Sequence, residues 1–171
     1  MTADDILALL TDVEDSGTFT ATRGTVPLPA FGGVALPVLF DATNIGNNAI
    51  AEAAAALSSR PAETRAAIAD ALYAYCQRSF EECDGDFETP QHQLDWEAEQ
   101  TGQFQDPKVP AGPADIWALV RFETLYVYRD TYADKTVAAV NGLCAWDGEH
   151  RVSVRFDNGA TLIKACGIDD F

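Results

Sequence analysis

Positive charge is scarce in this sequence. Eleven lysines and arginines stand against 27 aspartates and glutamates, for a formal net charge of −16 over 171 residues. A surface of that sign repels phosphate backbones and anionic lipid headgroups, so nucleic-acid and membrane-surface binding are both disfavoured. The N-terminus carries Asp4 and Asp5 where an export signal needs basic residues, and the apolar stretch Ile6 to Leu10 is too short for its hydrophobic segment. No apolar run approaches the length that spans a bilayer. A cytoplasmic location is the expectation. Histidine is limited to His92 and His150, and the four cysteines (Cys76, Cys83, Cys144 and Cys166) form no C-x-x-C pair. A chain of this size with no export signal points to free thiols. Also missing are G-x-G-x-x-G, the P-loop, G-x-S-x-G and H-E-x-x-H. These absences argue against dinucleotide binding, phosphate cradling and the common hydrolase and zinc-protease centres, and no cofactor is expected.

What is present reads as one α+β domain over residues 1–171, since splitting the chain would leave each half poorly buried. N-terminal strands are expected over about 18–40. Val34, Leu36, Val38 and Phe40 fall on alternate positions, and Pro37 within that run suggests an edge strand. Helices are expected over about 47–82. Asn44 to Asn48 offers caps, the segment to Leu57 is rich in alanine, and Pro61 suits the first turn of a second helix. In that helix Ile68, Leu72, Tyr75 or Cys76, and Phe80 form one apolar stripe. Residues 83–113 read as an acidic loop, with Thr89-Pro90 able to start a short helix through Gln100. An antiparallel meander follows over about 120–166. Leu125 and Val127 share a face, a bulge is expected at Asn141-Gly142, and Asn158-Gly159 makes a two-residue hairpin turn. The whole implies an antiparallel sheet with two central helices packed on one face.

The most distinctive segment runs from Cys144 through Trp146, Asp147 and Glu149 to His150. It resembles the C-x-W-D-x-E-H-G signature of an uncharacterised bacterial family, one of the domains of unknown function. The resemblance covers most of the chain outside the acidic stretch and departs at Arg151, where the family usually has glycine. It implies no established activity. Immunity proteins against toxins among related small bacterial domains imply a comparable role here.

As chemistry, Cys144, Asp147, Glu149 and His150 offer mixed ligands, but not at a zinc spacing. On a strand Cys144 and Trp146 share one face, with the polar trio in the turn after them. The structural reading is that the first two are core and the trio orders the hairpin. A small metal-binding protein or enzyme centred on Cys144, Glu149 and His150 is the alternative, and neither a catalytic residue nor a metal ligand is assigned. Asp84-Gly85-Asp86 fails as a calcium loop, because Gln91 stands where the closing glutamate belongs. The stretch from Glu81 to Asp106 holds nine carboxylates and no lysine or arginine. Within it Phe87, Trp96 and Phe104 supply aromatic anchors, with Asp95, Glu97 and Glu99 to steer a basic protein partner; the alternative is that the rings tuck into the core and the acids form a solvated face. Exposed edge strands would admit a dimer, and the charge opposes one.

Overall fold

The computed structural model describes every residue except 16–18, 42–43, 84 and 171. Thr18 and Asp84 therefore lie outside the described residues. The fold is α+β, built on a seven-stranded sheet whose spatial order follows the chain from β1 to β7. β1 is Val13–Asp15, β2 Thr20–Leu28, β3 Val34–Phe40, β4 Val120–Asp130, β5 Lys135–Cys144, β6 Val152–Asp157 and β7 Thr161–Cys166. Helices α2 (Asn47–Ser58), α3 (Arg65–Glu82) and α4 (Pro90–Thr101) all fall between β3 and β4, and α1 (Ala3–Leu9) precedes the sheet.

Neighbouring strands are antiparallel except at one seam, where Val38, Leu39 and Phe40 of β3 run parallel to Leu125, Tyr126 and Val127 of β4. The three intervening helices make this possible, because a parallel pair needs a long crossover. The seam also corrects the edge position expected for β3, which lies between β2 and β4. Pro37 is tolerated there because pairing with β4 begins only at Val38. The Val38 N–H donates to Thr22 Oγ1 (2.9 Å) on the β2 side. Alternation then turns the donorless Pro37 nitrogen toward the side where the β4 ladder has not begun.

Local chemistry accounts for the helices. Thr2 and Asp5 form a reciprocal capping box that starts α1, and Ile6 and Leu10 anchor it in the core. Asparagine does not cap α2: its N-cap is Gly46, with no side-chain hydrogen bond. Pro61 precedes a 3₁₀ turn, Ala62–Thr64, that leads into α3. The α3 stripe buries Ile68, Leu72, Tyr75 and Cys76. Residues 83–113 are not all loop, since Thr89 Oγ1 accepts the His92 N–H (3.1 Å) and starts α4. A further 3₁₀ segment, Pro113–Leu119, leads into β4. One register shift in the meander sits in β4 between Phe122 and Thr124, opposite Asn141 and Gly142, and another in β6 between Arg155 and Phe156.

One core holds the alternate residues Leu125 and Val127, Ala138 and Val140, and Val154 and Phe156. Ile50, Ala53 and Leu57 of α2 join them with the α3 stripe. Phe31 packs edge-on against Trp117, Phe122 and Phe156. All four cysteines are free thiols. Among the described residues no helix is long and apolar enough to cross a membrane.

Candidate functional site

The segment from the end of β5 to the start of β6 is a junction. Cys144, Ala145 and Trp146 are buried, and Asp147 to His150 form the turn into β6. Asp147 organises that turn. Its Oδ1 accepts the His150 N–H (2.9 Å) and lies 3.1 Å from His150 Nδ1, while its Oδ2 accepts the Tyr75 hydroxyl (3.1 Å). Its carbonyl oxygen accepts the Arg151 N–H (3.1 Å) and the Cys144 thiol (3.3 Å). Arg151 has φ +63°, in the left-handed region that glycine occupies most easily. Its guanidinium pairs with Glu123.

Two side chains of α4 complete the junction. Gln93 Nε2 donates to the Trp146 carbonyl (2.8 Å), and Glu97 Oε2 accepts the Gly148 N–H (3.1 Å). The C-terminal tail joins through Ile168 N–H to the His150 carbonyl (2.9 Å). Turn, α3, α4 and tail are thus tied together around Asp147. Tyr75, Gln93 and Glu123 carry much of this and were not singled out from sequence. Tyr75 read only as a stripe residue, and nothing local marks a glutamine that will be buried.

The electrostatics follow from burial and from Asp147. Burial, then the Asp147 charge, hold the Cys144 thiol well above its ordinary range, and the same order of causes raises the Tyr75 phenol. Asp147 raises the His150 imidazole, which is otherwise largely exposed. A buried thiol of that kind is a poor nucleophile. Cys144 is buried while Glu149 and His150 are exposed. Among the described residues no group of three or more His, Cys, Asp or Glu side chains is placed to hold a metal ion.

Burial raises the Glu97 carboxyl, against the lowering effect of the Gly148 N–H. A raised folded-state value means a contribution fully present below pH 4.5, the ordinary carboxyl value, and lost as pH rises through the folded-state value. Glu97→Gln keeps an acceptor for Gly148 and removes the charge. It is expected to leave the urea midpoint unchanged or raised, and to remove the fall in stability between pH 4.5 and the folded-state value. Glu97→Ala leaves the amide unpaired and should cost about 1–2 kcal/mol. Equal losses in both variants would contradict this role.

The outer side of α4 differs. Asp95 and Glu99 are exposed, and Trp96 is 44% exposed. The Trp96 ring lies 5.6 Å from the half-buried Phe87, tilted at 53°. Beside them a cleft of about 340 Å³ opens between the end of α3 and the start of α4, lined by Gln77, Phe80, Cys83, Phe87, Pro90 and Val109 among others. Of the residues expected to face a partner, Phe87, Asp95, Trp96 and Glu99 lie on or beside this surface. Glu97 is instead engaged by Gly148.

No curated protein and no solved structure matches this chain. A family model described as a domain of unknown function matches residues 9–171, and the chain belongs to that family, DUF6985.

Proposed function

We propose that the protein is a non-enzymatic binding domain and that the outer surface of α4 receives a basic partner protein. The observation that carries this reading is Trp96, exposed and braced by Phe87 on a helix that also exposes Asp95 and Glu99. A large ring held by a neighbour presents contact area at low entropic cost, which is what interface anchors do. The net charge of −16 then steers a cationic partner toward it. The immunity role implied by the resemblance is one form of this arrangement, an acidic surface occupying a basic toxin.

The test reverses charge where it does not disturb the junction. Asp95→Lys combined with Glu99→Lys is expected to slow association with a captured basic partner by about tenfold at low salt and by much less at high salt. Glu97 is left intact because it holds Gly148. An unchanged association rate at low salt would remove α4 as the docking surface.

A further inference from the structure

The cleft between the end of α3 and the start of α4 has walls of two kinds. Phe80, Phe87, Pro90 and Val109 are apolar, and Glu81 and Glu88 add exposed carboxylates. Among the described residues no lysine, arginine or histidine lines it. The basic residues that adjoin the lining in sequence, Arg78 and Lys108, are engaged elsewhere. Arg78 lies over the Tyr75 ring and its Nη2 donates to the Ala165 carbonyl (3.5 Å), while Lys108 pairs with Asp106. Neither Glu81 nor Glu88 is in an ion pair among the described residues.

A buried amide supplies a third acceptor. Gln93 is 3% exposed and also lines the cleft. Its Nε2 donates to the Trp146 carbonyl (2.8 Å), and because a carbonyl can only accept, this bond sets which way the amide faces. Oε1 accepts no hydrogen bond among the described residues, and it is not one of the unpartnered atoms sealed from solvent. The helix ends favour the same sign of occupant. α3 stops here with no basic residue in its last turn, so its terminal carbonyls attract positive charge. At the start of α4, Pro90 has no N–H and Thr89 Oγ1 takes that of His92 (3.1 Å), which leaves few donors for an anion. A space of about 340 Å³ takes one long side chain rather than a folded element. Apolar walls suit an aliphatic stem, and acceptors without donors suit a cationic head.

We propose that this cleft seats one lysine or arginine side chain of the basic partner, its stem along Phe80 and Phe87 and its head among Gln93 Oε1, Glu81 and Glu88. The partner itself comes from the α4 reading, on which this site rests.

The test is a titration of the whole protein with acetylated, amidated Gly-Lys-Gly and Gly-Arg-Gly, followed by the NMR resonances of the Gln93 side-chain amide and the Phe87 ring. Peptides with norleucine or glutamate at the centre are the neutral and anionic controls. Saturable shifts with the cationic peptides, and none with the controls, are expected. Binding should weaken at least about fivefold in Glu81→Gln combined with Glu88→Gln. The melting temperature should not change, because both side chains are exposed and outside any ion pair among the described residues. Failure of both cationic peptides to saturate, equal shifts with either control, or undiminished binding in the double variant would overturn the proposal. Each of these would leave capture that depends on Trp96, and with it the α4 reading, untouched. Saturation by the peptides with no protein captured would instead overturn the α4 reading and the partner as the source of the cation.

Discussion

Trp146→Ala is expected to lower stability by about 3–5 kcal/mol, read as a drop in the urea midpoint with little change in slope. Trp146 is fully buried and is the largest of the fully buried side chains. Its ring meets Tyr75 edge-on at 5.8 Å, so truncation opens a void beside the residue that holds Asp147. The indole Nε1 is also buried and has no hydrogen-bond partner among the described residues. That orphaned donor has a consequence for the smaller change. Trp146→Phe removes the unmet N–H together with part of the ring, and the two effects oppose each other, leaving a cost of about 1 kcal/mol or less. Comparable losses in both variants would mean that the indole nitrogen makes a bond that matters. The Gln93 bond to the Trp146 carbonyl is a backbone contact and should survive the ring change.

Gly159→Ala is expected to be the most damaging single-methyl addition in the described turns. Asn158 and Gly159 have φ of +47° and +69°, so the Asn-Gly pair forms a turn with both central residues left-handed. A Cβ at 159 would lie 1.9 Å from the Ala53 carbonyl oxygen and 2.9 Å from its carbon. These are backbone atoms of α2 and cannot swing aside as a side chain would. The left-handed conformation costs alanine about 1–2 kcal/mol, and displacing α2 adds about 1–3 kcal/mol. Gly33 isolates the first part, because it also has positive φ (+78°) but nothing within 4 Å of a Cβ built there. Gly33→Ala should therefore cost only the conformational part. Thermal melting of the two variants side by side checks the difference. Similar melting temperatures would contradict the close approach of α2 to the hairpin.

The contrast between these glycines marks what a sequence carries. Local signals were legible: the Asn158-Gly159 turn, the alternation of Val152, Val154 and Phe156, the stripe from Ile68 to Cys76, and Thr89-Pro90 as a helix start. Each depends on residues a few positions apart. The parallel seam between Val38 and Leu125 depends on residues separated by the three central helices, and no local pattern encodes it. The misplacement of β3 at an edge came from the same source, because a proline signals a missing donor but not which neighbour would have needed it. α1 was missed although Thr2 and Asp5 stand at capping-box spacing. At the junction, the distinctiveness of Cys144 to His150 was plain, yet the partners that give Asp147 its work come from α3 and the turn itself. Glu97 illustrates the limit most simply. Composition grouped it with Asp95 and Glu99, and only the rotation of α4 separates the side chain that bonds Gly148 from the two that face outward.

The most direct measurement is capture from lysate on the immobilised protein at low and at high salt, with Trp96→Ala run in parallel. The expected result is a single basic protein held by the wild-type chain at low salt, released at high salt, and not held by Trp96→Ala. Retention of nothing at either salt, or equal retention by Trp96→Ala, would contradict the claim that the acidic, aromatic face of α4 is a docking surface.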